Sequence, residues 1–570
     1  MPLLSQILSF ISKQREVVQN RLVAGHAKCI PERTTSSLLA MLLHELVEKV
    51  IDNIDRPSDL LRLALSSRAL HALIVPKHIE FRDIRCHLCH EDIWKLLISN
   101  PALAANVRTL QVEIRYLIEV LYPRSFIPEL GSTIHYGGEY NLPRALSLMR
   151  SLIRLQLTGY ASNVPNDLED TLISNTLLKI STSQFKLAEL SLEIGQSLDM
   201  SEHHSSLPLF PMPTVHLPTV TTLHIRVCLC PRCHLPGNNF YKFLVTQPDL
   251  PLKELSLSVF GSFAYNPLPH DLESGILALF KLATWPNIKR LALIFDRRAS
   301  AQIFEQGGYC SEILQDFLKR HRGLEALKLK WLGAPILTPD MLPALRSLSF
   351  DWWPQSVYHW REWRIPDNLG HQLWHFTVGK CDDDRMLELL KDMPNLKSCR
   401  LERTNDFEKF VQLMPNLEYL DCSIAQSCLL PTTSVSNSSQ GKFIQLQKLL
   451  LSKIMELAKL QRLTHLASFF PPTWLFNNLN TELKLLKITT NLIPTLKYGE
   501  LFDSGGSSFW VMIQRDFRGM YRGHIKHKSS VDTSVNNYST QTSVSAAERL
   551  IYYYSNVDIQ LLRQTPDLSI

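Results

Sequence analysis

Three nine-residue segments of this chain follow one pattern, which we call the turn phrase: WPNIKRLAL at residues 285–293, MPNLKSCRL at residues 393–401 and MPNLEYLDC at residues 414–422. Each copy ends in the pattern apolar-x-x-apolar-x-apolar, whose last two apolar positions alternate with other residues as in a short strand that is buried on one face. A proline stands two residues before the first apolar position, where it ends a preceding helix. The phrase therefore predicts a turn that leads into a strand.

The six-residue pattern recurs along most of the chain. Its thirteen copies have the first apolar positions Val107, Leu152, Leu187, Val220, Leu252, Ile288, Leu324, Leu345, Leu373, Leu396, Leu417, Leu446 and Leu483. From Leu152 onward these positions are 21 to 37 residues apart. Helical stretches are predicted before some copies, at residues 274–284, 311–321 and 382–391.

This order of helix, proline turn and strand resembles the leucine-rich-repeat family. The resemblance implies an α/β solenoid shaped like a horseshoe, with parallel strands on its concave face and helices on its convex face. Regular repeats hold about 20–29 residues. The longer repeats of this chain are therefore expected to carry loops or insertions.

A different pattern precedes the repeats. Residues 38–76 read LLAMLLHELVEKVIDNIDRPSDLLRLALSSRALHALIVP. Apolar pairs recur every four residues up to Pro57, which is expected to end a first helix, while Ser58 and Asp59 can begin a second one. A segment of about forty residues buries too little apolar surface to be stable alone, so we expect it to dock on a partner.

The same segment resembles the F-box, the adaptor-binding motif of ubiquitin-ligase substrate receptors, and its pairing with divergent repeats resembles receptors of the fungal type. Leu43 stands where the family usually has proline. The resemblance implies binding to a Skp-type adaptor and, through it, to a cullin. The implied adaptor-binding residues are Leu42, Leu43, Glu45, Leu46, Ile51, Asp59, Leu60, Leu61, Leu63, Leu65 and Leu70.

These features predict six regions and a non-catalytic receptor whose repeats hold an unknown protein substrate. The regions are an N-terminal amphipathic helix or linker (1–35), the F-box-like module (36–80), a connecting helix (81–105), the solenoid (106–500), a C-terminal cap (501–528), and a disordered linker with a terminal helix (529–570). The linker expectation rests on residues 529–545, which are rich in Ser, Thr, Asn and Val.

The composition indicates an ordinary globular chain, with 45% hydrophobic residues, 20% charged residues and a net charge of +6. This charge gives no indication of nucleic acid as a partner, and no apolar run is long enough to predict a membrane helix. The N-terminus lacks the features of a secretion signal, so we expect a cytoplasmic or nuclear protein with reduced cysteines. We find no catalytic motif and expect no cofactor.

Two Cys-x-x-Cys-His strings are the main competing signal, because this motif can attach haem or contribute to a zinc site. One string holds Cys86, Cys89 and His90. The other offers the weak zinc candidates Cys228, Cys230, Cys233 and His234. A metal protein, and a plain repeat scaffold without ligase function, therefore remain as alternative interpretations.

Two further stretches are candidates for binding. The first follows the strand that ends at Phe350 and is rich in the residue types of binding hot spots, so we predict that it contacts the substrate through Trp352, Trp353, Tyr358, Trp360, Arg361 and Trp363. Packing of these indoles over the core is the alternative. The second, residues 515–528, is basic with interleaved aromatics; we expect a solvated charged edge rather than a nucleic-acid site.

Overall fold

Contacts divide the chain into two compact units, Met1–Phe81 and Arg82–Ile570. The computed structural model describes residues 46–51, 54, 57–79, 81–88, 90–113, 138–161, 175–176, 179–180, 186–196, 217–229, 244–245, 249–261, 277–295, 310–330, 337–338, 340–351, 365–378, 383–401, 406–422, 439–470, 479–502, 508–516 and 518–527.

The described part of the first unit is helical. Residues 46–51 form a helix, followed by α1 (Pro57–Leu65), α2 (Arg68–Ile74) and a π-helical turn (Val75–Ile79). The second predicted helix is divided because the Ser67 hydroxyl accepts a hydrogen bond from the Leu70 amide at 3.2 Å and caps α2. Pro57 begins α1, where a missing amide hydrogen costs nothing. The helices share a small core of Ile51, Leu60, Leu63, Ala64 and Ile74.

The second unit is a mixed α/β structure built on one long sheet. Within the described residues, sixteen strands lie in chain order, each beside the next. They are β1 (Asp83–His87), β2 (Thr109–Glu113), β3 (Arg154–Ala161), β4 (Glu189–Gln196), β5 (Thr222–Leu229), β6 (Glu254–Gly261), β7 (Arg290–Phe295), β8 (Ala326–Lys330), β9 (Ser347–Asp351), β10 (His375–Val378), β11 (Ser398–Leu401), β12 (Tyr419–Cys422), β13 (His465–Ala467), β14 (Tyr498–Phe502), β15 (Ser508–Arg515) and β16 (Tyr521–His527).

Helices alternate with many of these strands. They are α3 (Glu91–Ser99), α4 (Pro101–Asn106), α5 (Gly138–Leu146), α6 (Cys310–Arg320), α7 (Asp367–Gln372), α8 (Asp383–Lys391), α9 (Phe407–Leu413), α10 (Ser439–Leu457) and α11 (Leu479–Leu492), with a further helical stretch at 277–282. The helices predicted at 274–284, 311–321 and 382–391 are thus confirmed in their described parts, although the first ends at residue 282 and the second at Arg320.

The strands from β1 to β14 are parallel, and the six-residue pattern sets their register. Leu291 of β7, for example, lies opposite Leu255 of β6 and Leu327 of β8, and all three side chains are buried. Eleven of the thirteen predicted strands are confirmed, from the copy at Val107 to the copy at Leu417. Alternate residues of each strand lie on the other face of the sheet.

A side-chain hydrogen bond of the turn phrase joins the segments that precede two successive strands. The Asn395 side-chain amide donates to the His371 carbonyl at 2.7 Å, and that of Asn416 donates to the Pro394 carbonyl at 3.3 Å. Thr219 occupies the same place in a variant of the phrase and donates to the Leu187 carbonyl at 2.8 Å. In these three turns, the polar residue after the proline therefore ties the chain before one strand to the chain before the preceding strand.

Two predicted strands are wrong. The copies that begin at Leu446 and Leu483 lie inside α10 and α11, because leucines three and five residues apart also occur on a helix. The true strands at this end of the sheet are β13 and β14. In β14 the central buried position is Gly499, where a Cβ atom would stand 3.3 Å from Leu486 Cδ1 of α11.

The boundaries of the sheet also differ from the expectation. Residues 81–105 contain β1, α3 and α4 rather than one connecting helix, since Ile84 and Cys86 alternate as buried strand residues. At the other end, β15 and β16 continue the sheet in antiparallel order, within the region predicted as a cap. The terminal linker and helix predicted at 529–570 lie outside the described residues.

A buried histidine joins two successive elements of the core. His321 lies at the end of α6, and its Nδ1 is 2.8 Å from the Phe317 carbonyl oxygen. Its Nε2 accepts a hydrogen bond from the Trp285 backbone amide at 3.1 Å, so the neutral imidazole with hydrogen on Nδ1 fits both partners. Burial, opposed in part by the Phe317 contact, lowers the pKa of His321.

Candidate binding surfaces

The predicted adaptor-binding residues separate into buried and exposed groups. Ile51, Leu60 and Leu63 belong to the core of the helical module and hold it together rather than face a partner. By contrast, Leu61 and Leu65 are 46% and 70% exposed. They lie four residues apart, so they share one face of α1.

The remaining members of the predicted set have different environments. Leu46, on the preceding helix, is 52% exposed. Leu70 packs half-buried against the module core, and Asp59 lies 3.4 Å from the Arg62 guanidinium in the first turn of α1. Leu42, Leu43 and Glu45 lie outside the described residues.

The sheet carries two kinds of side chain on the face opposite its buried leucines. From β1 to β12 this face holds charged pairs: Arg85 Nε lies 2.9 Å from Glu113 Oε1, Arg154 Nε lies 3.0 Å from Glu189 Oε2, Arg290 Nη1 lies 3.2 Å from Glu254 Oε2, and Arg400 Nε lies 3.4 Å from Asp421 Oδ2. Charges that are already paired within the sheet attract a charged ligand less strongly. This region is therefore a weak candidate for electrostatic recognition.

Toward β15 the same face becomes aromatic. Tyr419, His465 and Tyr498 occupy matching positions on β12, β13 and β14. The rings of His465 and Tyr498 are stacked with centroids 4.7 Å apart, and Trp510 lies within 6.5 Å of both Tyr419 and His465. We call these four residues the aromatic row. Tyr419 and Trp510 are buried, whereas His465 and Tyr498 are partly exposed.

The imidazole of His465 is neutral at pH 7. Burial, with a smaller effect of the Lys497 charge, lowers the pKa of His465 to about 4. Beside the row, the buried Glu500 carboxylate accepts hydrogen bonds from the amide and the hydroxyl of Ser468 at 2.9 and 3.3 Å. Ser468 has a φ of 50°, a left-handed conformation that these bonds help to hold.

Sequence reasoning missed the aromatic row. Tyr419, inside MPNLEYLDC, is the one member that lies in a predicted copy of the pattern. His465 and Tyr498 lie on strands that the pattern did not predict, so the column of aromatic residues is visible only once the strand register is known. The tryptophan-rich candidates, from Trp352 to Trp363, lie outside the described residues.

The cysteine signals receive little support from geometry. Cys86 is buried on the leucine side of β1, and burial raises the pKa of its thiol, which disfavours the thiolate that a metal would bind. Cys228 lies on β5, while Cys230, Cys233 and His234 lie outside the described residues. Among described residues, no group of three or more His, Cys, Asp or Glu is placed to hold a metal ion.

In the basic stretch at 515–528, the described residues 515–516 and 518–527 take part in the β15–β16 hairpin. The Arg515 guanidinium donates to the carbonyls of Gly519, Ile493 and Leu496 at 2.7, 3.0 and 3.1 Å. This cation therefore supports the end of the sheet. Burial lowers its pKa.

Comparisons add no relative from which to transfer a function. No protein-family model matches the sequence, and no curated protein matches it. Within the part of the chain that the structure describes, no helix has the length and apolar character required to cross a bilayer.

Proposed function

We propose that this chain is the substrate-recognition subunit of a cullin-type ubiquitin ligase. In this proposal the helical module is an F-box-like unit that binds a Skp-type adaptor. The long sheet with its helices is a leucine-rich-repeat horseshoe that holds a protein substrate. The chain performs no bond-breaking step itself.

The observation that carries the proposal is the pair of exposed leucines on α1. A small helical module has little apolar surface to spare, yet Leu61 and Leu65 remain outside its core. Burial of a leucine side chain contributes about 1.5–3 kcal/mol when it is complete. A partner that covers this face would therefore gain affinity, and an adaptor that offers an apolar groove fits this requirement.

The aromatic row supports the part of the proposal that concerns substrate binding by the second unit. Aromatic side chains are enriched where proteins bind one another, and His465 and Tyr498 are both partly exposed. A substrate held there while the module holds the adaptor would be kept at a high effective concentration near the ligase. Proximity is then the whole contribution of this chain.

The adaptor interaction is tested with the double variant Leu61→Asp/Leu65→Asp. We expect the intact chain to retain a Skp-type adaptor during affinity purification and the double variant to lose at least 90% of it. Because both side chains are exposed, circular dichroism should show unchanged helix content. Leu282→Asp is the matched control, since Leu282 is also an exposed helical leucine but belongs to the second unit.

Two outcomes would count against the proposal. Equal retention of the adaptor by the double variant would show that α1 is not the docking face. Absence of the adaptor from every preparation, with other proteins still captured by the aromatic row, would favour the plain repeat scaffold. A Tyr498→Ala variant separates these cases because it changes the row and leaves the module intact.

A further inference from the structure

The last two helices that the structure describes, α10 and α11, expose several large apolar side chains. On α10 the exposed residues include Leu451 and Met455, and on α11 they are Ile488 and Leu492. These four side chains are between 36% and 64% exposed. Within each pair the residues are four positions apart, so each pair forms one stripe along its helix.

The two stripes face each other. The Lys453 ammonium lies 4.8 Å from the centre of the Phe407 ring, which identifies the side of α10 that faces α9. Leu451 and Met455 lie on the other flank of the buried residues Leu450 and Ile454, and hence toward α11, because successive helical residues are 100° apart.

The stripe of α11 lies on the side of that helix that faces α10. Both helices precede parallel strands, so the same side of each faces the preceding helix. Ile488 and Leu492 lie on that side of α11, next to the buried residues Leu485 and Thr489. We call the space between Leu451, Met455, Ile488 and Leu492 the C-terminal groove.

The sequence of this chain contains a segment that suits the groove. Residues 548–562, outside the described part, read ERLIYYYSNVDIQLL. Leu550, Tyr554, Val557 and Leu561 follow the spacing i, i+4, i+7 and i+11, which places them on one face of a helix.

Charge and chain length favour the same occupant. Lys484 is exposed on α11 one turn before Ile488, while residues 548–562 hold two acids, Glu548 and Asp558, and one arginine. The last described strand, β16, ends at His527 and packs against α11. The twenty residues 528–547 can span roughly 25 Å as a flexible chain, at about 5–6 Å times the square root of their number.

We propose that residues 548–562 bind as a helix in the C-terminal groove, through the face of Leu550, Tyr554, Val557 and Leu561, and cover the apolar stripes of α10 and α11. A short tether gives the segment an effective concentration in the millimolar range. Docking with a dissociation constant of about 0.1 mM would then fill the groove about nine-tenths of the time. This inference is independent of the proposed ligase function.

The test is the rate at which hydrogen peroxide oxidises Met455 in the full chain, measured by mass spectrometry. We expect Leu550→Asp/Tyr554→Asp to oxidise about tenfold faster at Met455 than the unmodified chain, because the charged face no longer docks. The matched control, Ser555→Asp/Asn556→Asp, adds the same charge at two polar residues that lie away from the face of Leu550, Tyr554, Val557 and Leu561. It should oxidise at the unmodified rate.

Two results would overturn the inference. The first is equally fast oxidation of Met455 in all three proteins, which would mean that the segment does not cover the groove. The second is protection that survives Leu550→Asp/Tyr554→Asp and grows with protein concentration, which would assign the groove to a second copy of the chain. Hydrogen exchange of α10 and α11 gives an independent readout: docking should slow it only in the unmodified and control chains.

Discussion

The hydrogen bond between His321 and Trp285 predicts a local, measurable loss of stability when the imidazole is replaced. His321→Leu introduces an apolar side chain of similar size. It removes the acceptor for the Trp285 amide and the partner of the Phe317 carbonyl. A buried polar group left without a partner costs about 1–3 kcal/mol. Opening of this region should therefore become about 5- to 150-fold more frequent, by the Boltzmann factor for that range.

The assay is amide hydrogen exchange at Trp285, expressed as a protection factor so that the intrinsic pH dependence of exchange is removed. We expect His321→Leu to lower this protection factor by the stated ratio at pH 7.5. His321→Gln is the control, because its side-chain amide offers both an acceptor and a donor and should retain part of the protection.

The same site predicts a pH dependence with a definite sign. The lowered pKa of His321 means that the unfolded or opened state binds more protons, so stability falls as pH drops below the ordinary histidine pKa of about 6.5. Protection at Trp285 should decrease between pH 7.5 and pH 5.5 in the unmodified chain and change less in His321→Leu. Equal protection factors and equal pH slopes in the two proteins would refute the reasoning.

Two further predictions concern packing. Gly370→Ala should destabilise the second unit by about 1–3 kcal/mol in urea unfolding, because its Cβ would overlap the Asp392 carbonyl oxygen. Gly323→Ala, whose Cβ meets only an ordinary contact at 3.7 Å, should change the stability little. Leu60→Ala should cost about 2–5 kcal/mol and melt the helical module, as followed by hydrogen exchange of α2, and an unchanged exchange rate there would contradict the burial of Leu60.

The sequence was sufficient to predict the strands whose leucines and prolines agree. Copies such as WPNIKRLAL combine a helix-ending proline with alternating buried positions, so local pattern and tertiary burial give the same answer. The predicted strands at Leu446 and Leu483 failed because leucine spacing without a proline turn does not separate a strand from a helix face. The second predicted helix of the helical module is divided at Ser67, because the Ser67 hydroxyl competes for a backbone amide.

The missed strands had weaker signals of the same kind. Before β14 the chain reads IPTL at residues 493–496, a variant of the turn phrase, and the Thr495 hydroxyl donates to the Leu463 carbonyl at 2.8 Å as the threonine of the earlier variant does in its own turn. Gly499 then replaces the expected leucine, so a search for leucines passes over the strand. The aromatic row was hidden because strand register, which brings Tyr419 beside His465, is a tertiary property.

The division of the adaptor-binding residues also needed a structure. A helical stripe of leucines shows which residues are apolar, but not which of them are used by the core of the module. Leu60 and Leu61 are neighbours in sequence, yet one is fully buried and the other is about half exposed. Only the second is available to a partner, and this difference makes the docking proposal testable without unfolding the module.

The most direct test of the central claim is titration of the purified chain with a purified Skp-type adaptor in an isothermal calorimeter. The account predicts a one-to-one complex with a negative heat-capacity change, as expected when apolar side chains leave water, and loss of that signal in Leu61→Asp/Leu65→Asp. Absence of any heat of binding at tens of micromolar protein, with the chain shown to be folded, would contradict it.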